Sequence, residues 1–140
     1  MTYIKTTIVV LLFCFSNSVF SQVFLNLDFE SVIPGTQKPQ NWYAGNYGYI
    51  ASLDYQEKAS FSQSLKIESD NSRENQFGVC TGTFPTDLVK GKNIEFTGKI
   101  KTRNVTGGYA GLWWRVDGKN GTLGFDNMSD RGLKGTNDWE

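Results

Sequence analysis

The chain has 140 residues, with 14 basic and 14 acidic side chains and no histidine. Zero formal charge leaves no basic field for nucleic acid or for an anionic membrane surface, and the missing histidine removes Ser-His-Asp and Cys-His catalysis together with histidine-ligated zinc. What remains, with 10 Phe, 6 Tyr, 4 Trp and 15 Gly, is the composition of at most one domain made of strands and turns.

The chain opens on a targeting pattern. Met1 to Lys5 carry one positive charge, Thr6 to Phe15 are mostly apolar, and Val19-Phe20-Ser21 before Gln22 suits cleavage after Ser21. The apolar run is well short of the roughly 20 residues a spanning helix needs. Residues 1–21 therefore read as a Sec signal peptide, and the mature chain as secreted, periplasmic or extracellular, with no membrane span. Leu11-Leu12-Phe13-Cys14 suggests a lipoprotein signal instead, but bulky Phe13 and the position of Cys14 inside the apolar run oppose it. Cleavage leaves Cys80 as the one cysteine of the mature chain. It reads as a small buried strand residue, with a reactive thiol as the alternative.

Beyond Gln22, alternation with a period of two dominates. Leu25, Leu27 and Phe29 oppose Asn26, Asp28 and Glu30, the pattern of a half-buried strand. A loop with Pro34, Gly35 and Pro39 follows, ending at Trp42. Residues 47–55, 64–68 and 77–83 read as further strands, with "DNSREN" (70–75) as a turn. The clearest alternation is 93–102: Ile94, Phe96, Gly98 and Ile100 on one face, Glu95, Thr97, Lys99 and Lys101 on the other. Residues 109–117 and 122–126 form a hairpin around "DGKNG". Trp139-Glu140 resembles the start of another strand after a turn-like "GTND". The expected fold is all-β, an antiparallel β-sandwich of the jelly-roll, galactose-binding-like kind, over residues 22–140 and truncated at its C-terminus.

Two groups of residues carry a resemblance. "NLDFE" (26–30), followed by a Pro-containing loop and Trp42, is similar to the opening of carbohydrate-binding jelly rolls. "GKNIEFTGKIKTRNVTGGYAGLWWRVDG" and "FDNMSDRGLKGTNDW", with that opening, resemble an N-terminal β-sandwich domain of secreted Bacteroidetes-type proteins. There the domain precedes a tail-specific (S41-type) peptidase or an erythromycin-esterase-like hydrolase. The likeness covers most of residues 24–139. It implies an N-terminal fragment of a longer hydrolase, itself a non-catalytic accessory domain, with an adjacent catalytic domain as its partner.

The paired indoles at 113 and 114 pose the main question about binding. In a strand, neighbouring side chains point to opposite faces. Ala110, Leu112, Trp114 and Val116 then form an apolar row directed at the core, and Tyr109, Trp113, Arg115 and Asp117 an outward aromatic and charged row. An exposed indole beside such groups suits a sugar, whose C–H face stacks on the ring while its hydroxyls meet the charges. A carbohydrate-binding module with a glycan partner is thus the alternative function. The competing reading of the same row is a contact with a loop or neighbouring domain, with Arg115 stacked on Trp113.

Carboxylates are the remaining reactive groups. Asp117, Asp126 and Asp130 fall near one hairpin, where a glycosidase pair is weighed against turn residues that satisfy loop backbone; the turn reading is preferred. No cofactor is expected. Structural calcium is considered through the resemblance, with Asp28, Glu30 and Asp126 as ligands, and Asn127 and Asp130 as further donors. Three Asn-x-Ser/Thr patterns, at Asn104, Asn120 and Asn127, are read as accidental.

Overall fold

The computed structural model describes residues 25–44, 48–73 and 76–140. The signal-peptide reading of 1–21, with Cys14, lies outside them. The described chain is all-β: β1 (Trp42–Ala44), β2 (Tyr49–Asp54), β3 (Ser64–Ser69), β4 (Cys80–Gly82), β5 (Thr102–Ala110), β6 (Trp114–Gly118), β7 (Gly121–Asp126) and β8 (Leu133–Asn137). The helical element among the described residues is a single 3-10 turn, Thr86–Leu88.

The strands form four antiparallel two-stranded sheets, and the pairs nest in chain order. β1–β4 encloses β2–β3 in the first half; β5–β8 encloses β6–β7 in the second. β2 and β3 pair without a slip from Tyr49↔Ser69 to Asp54↔Ser64. On this sheet Ala51 and Leu53 are the buried hydrophobic residues of the described chain, Leu53 at 4% exposure. Unbroken alternation produces this result, since a one-residue slip would turn both outward. Glu57, in the loop after β2, reaches the second half, accepting Lys101 Nζ at 3.0 Å and Arg103 Nη2 at 3.4 Å.

Several elements depart from the pattern expected of the sequence. Residues 25–30 are a turn rather than a strand: Asn26 and Phe29 have φ of 49° and 62°, and the backbone N–H of Phe29 donates to Asn26 O at 3.2 Å. The buried residue is Asn26, at 3% exposure, whereas Leu27 is 55% exposed. Asn26 Nδ2 donates to Ser31 O (2.9 Å) and Gln40 O (2.7 Å), and its Oδ1 accepts the Ser31 N–H (2.9 Å). An asparagine tolerates the left-handed region and offers both donors and an acceptor, so hydrogen bonding overrides the apolar period here.

The second half also departs from expectation. Residues 93–100 belong to no paired strand, although Ile100 and Glu140 exchange both backbone hydrogen bonds, at 2.9 and 3.1 Å, which carries the β5–β8 ladder on to Glu140. The expected strand 109–117 is two strands, with 111–113 unpaired between them. β5 itself, containing Gly107, Gly108 and a left-handed Asn104, has the weak local propensity that hides a strand, and its pairing with β8 shows two register shifts. Thr102 Oγ1 helps hold that pairing, accepting from the Asn137 backbone N–H (3.1 Å) and Nδ2 (2.8 Å).

Candidate aromatic binding face

The β6–β7 hairpin closes over Lys119-Asn120, between paired Gly118 and Gly121. Gly121 has φ of 124°, a conformation that L side chains rarely adopt, so glycine is required there. From this turn the register runs Val116↔Gly124, Arg115↔Phe125 and Trp114↔Asp126, with one irregularity before Asp117↔Thr122. Residues directly opposite share a face. Arg115 and Phe125 therefore lie on one side, Trp114 and Asp126 on the other.

Trp113, just outside β6, joins the Arg115 side. Its ring centroid is 6.1 Å from that of Phe125, and the Arg115 guanidinium carbon stands 5.9 Å over it, within cation–π range. Arg115 Nε donates to Asp117 Oδ2 at 3.0 Å, and Thr122 Oγ1 donates to Asp117 Oδ1 at 3.1 Å. Trp113 is 38% exposed and Phe125 59%. The result is an exposed aromatic pair bordered by a carboxylate and a guanidinium whose orientation is set by their mutual bond.

Trp114 has a different set of neighbours. Phe84 meets it edge-on at 5.6 Å and Phe96 tilted at 5.4 Å, and the indole is half-buried. The two rings thus have separate ring partners, although Trp113 lies in the unpaired stretch before β6 and both indoles line one groove. Between them runs an open groove of about 230 Å3, walled by Ile94, Phe96, Leu112, Met128 and both indoles, with Asp126 and Arg131 as its polar members. The Arg131 guanidinium bonds Asp126 and holds its carboxyl below the usual carboxylate range; Asp130 accepts from the same guanidinium at 2.9 Å.

Of the four residues expected on the outward row, the structure brings Trp113, Arg115 and Asp117 together. Tyr109 stands on β5, its ring over Gly132, where any side chain would collide with it. Val116, expected in the core row, is exposed at 36%. Phe125 and Thr122 were not singled out from the sequence. A regular two-residue turn at Lys119-Asn120 places Phe125 opposite Trp114; the irregularity between Val116 and Asp117 moves it opposite Arg115, and no local pattern signals that shift.

The carboxylates weighed for calcium are engaged separately. Asp28 Oδ1 accepts the Glu30 backbone N–H at 3.2 Å, and Glu30 accepts the Ser62 N–H at 3.0 Å and the Ser62 hydroxyl. Asp126 bonds Arg131 and the Met128 N–H. Among the described residues no group of three His, Cys, Asp or Glu side chains is arranged for a metal ion. Asn127 Oδ1 likewise accepts the Ser129 N–H at 3.1 Å, the local role typical of loop Asn and Asp. The "NLDFE" residues and Trp42 do converge, but on one another: Trp42 Nε1 donates to Asn26 O at 2.9 Å, and the Phe29 and Trp42 rings lie 5.1 Å apart.

Cys80 begins β4 opposite Ala44, half-buried. Burial pushes its thiol up to about 11, which keeps it protonated and poorly nucleophilic at neutral pH. No helix of the described residues is long and apolar enough to cross a membrane.

No known protein-family profile matches the chain, and no solved structure matches it. A 65-residue stretch, 46% of this chain, is 38% identical to an uncharacterized HTH-type transcriptional regulator, YbfP, of Bacillus subtilis (strain 168). The matched stretch spans about a fifth of that regulator, 22% of its length.

Proposed function

We propose that the chain is a carbohydrate-binding module and that the outward face of β6–β7 is its platform. The observation that carries this reading is the exposed Trp113–Phe125 pair with Arg115 and Asp117 fixed beside it. A pyranose presents an apolar C–H face and a rim of hydroxyls; the aromatic pair suits the first and the ion pair the second. The adjoining groove is smaller than the roughly 300–1,000 Å3 of drug-sized clefts, which fits a single ring rather than a buried chain. In the fuller form of this reading, the hairpins stack into a jelly-roll sandwich, the protein is exported after cleavage near Ser21, and the module serves a hydrolase as an accessory domain. The likeness to an HTH-type regulator lends no support to DNA binding by this chain. Two helices make that motif, and the described residues contain one three-residue 3-10 turn.

Glycan-array screening followed by titration of tryptophan fluorescence tests the proposal. Trp113→Ala is expected to abolish sugar binding while changing stability by less than about 1 kcal/mol, as suits an exposed ring. Sugar binding that survives Trp113→Ala, or no binding to any glycan by the unaltered chain, would overturn it.

A further inference from the structure

Residues 93–99 are all exposed, and none of their backbone N–H or C=O groups is hydrogen-bonded among the described residues. The segment has no turn, bend or left-handed residue. Its pleat is visible in its packing. Phe96 lies on Trp114, a Cβ placed on Gly98 would touch the Leu112 side chain at 3.4 Å, and Ile94 lines the same groove, so the even-numbered residues share the inward face. The polar face carries Glu95, Thr97 and Lys99, and neither Glu95 nor Lys99 forms an ion pair among the described residues.

Among the described residues, the segment is an extended stretch without a partner. Ile100 directs its N–H and C=O toward Glu140. In an extended strand residues 95, 97 and 99 then direct theirs to the opposite edge, which β8 does not cover. An open edge of this kind is a template for strand addition.

We propose that this edge pairs with the same edge of a second copy of the chain, antiparallel and centred on Thr97. The segment is self-complementary in that register. Glu95 falls opposite Lys99 of the second copy and Lys99 opposite its Glu95, giving two opposite-charge pairs around the two-fold axis. Thr97 meets itself on the axis. On the apolar face Ile94 faces Ile100, and Phe96 faces Gly98, where an aromatic ring covers the glycine across the strands. Pairing through odd-numbered residues is also what the direction of Ile100 demands. A shift of two residues one way removes both charge pairs, and a shift the other way sets Glu95 opposite Lys101, which Glu57 and Asp138 already engage, so the charges favour the register centred on Thr97.

The oligomeric state of the whole chain by sedimentation equilibrium is the test. Association to twice the 15.7 kDa chain mass is expected. Glu95→Lys sets lysines opposite one another and should weaken the dimer about tenfold or more, and Lys99→Glu should do the same with carboxylates. The double exchange Glu95→Lys with Lys99→Glu restores opposite charges and should restore association. Thr97→Pro deletes the N–H at the axis, at an exposed site with no hydrogen bond of its own, and should give a folded monomer. A monomeric parent chain, a dimer indifferent to Thr97→Pro, or a double exchange no stronger than either single change would overturn the proposal. Both charged positions lie off the sugar groove, so glycan binding is expected to survive every one of these substitutions.

Discussion

The two halves of the described chain share one pairing scheme and treat it differently. In the first, the enclosed pair β2–β3 has an unbroken register and buries Ala51 and Leu53, and the preceding loop is held by the buried side chains of Asn26 and Gln63. Gln63 Nε2 donates to Phe29 O and completes that loop's attachment. In the second, every residue of β7 is exposed, Leu123 at 75% and Phe125 at 59%, and the enclosed pair carries the aromatic face. The same nested pairing gives a small core in one half and an exposed aromatic face in the other. The difference lies in where the apolar side chains point and in whether anything covers them.

Substitutions can break this comparison. Leu53→Ala should have the largest effect, about 3 kcal/mol of lost stability in urea unfolding, since it empties a fully enclosed site. Asn26→Ala should cost about 2 kcal/mol by the same measurement: it unpairs the Ser31 N–H and two carbonyls and places alanine at φ 49°. In the second half, Trp114→Ala should cost about 1.5–2.5 kcal/mol. That is less than full burial would give, because the ring is half-exposed. If Trp113→Ala proves as destabilising as Trp114→Ala, the second half is a core like the first and the distinction between them fails.

The smallest effect concerns Cys80. A thiol raised from about 9 to about 11 should resist iodoacetamide at neutral pH in the folded chain and react readily once unfolded. Because the folded state binds the proton more tightly, this residue's contribution is intact below about pH 9. It is then lost as pH rises through about 11. Rapid alkylation of native protein at pH 8 would show that the thiol is open.

Much of the first half's regular structure could be read from its residues: β2, β3 and β4 fall within the strands expected at 47–55, 64–68 and 77–83, apart from Ser69. The hairpin of β6 and β7 was legible for the same reason, a turn signal between alternating runs. The reading failed at Asn26, where a polar side chain with three partners occupies the position that the period assigned to solvent. It failed again at β5 and β8. "GTND" looks like a turn, yet residues 135–137 complete β8, because Asn137 is bound to Thr102, 35 residues away. A local window contains no trace of such a partner.

The amino-acid sequence by itself determined the all-β class, the neutral charge and the lack of histidine chemistry. All of these follow from composition or from the two-residue period of an extended chain. Tertiary structure alone decided which ring each indole meets, that Tyr109 lies over Gly132 instead of joining Trp113, and that the best-patterned segment, 93–99, is unpaired among the described residues. Pairing depends on register and on partners distant in the chain. Alternation specifies a strand's faces but says nothing about what lies along its edges.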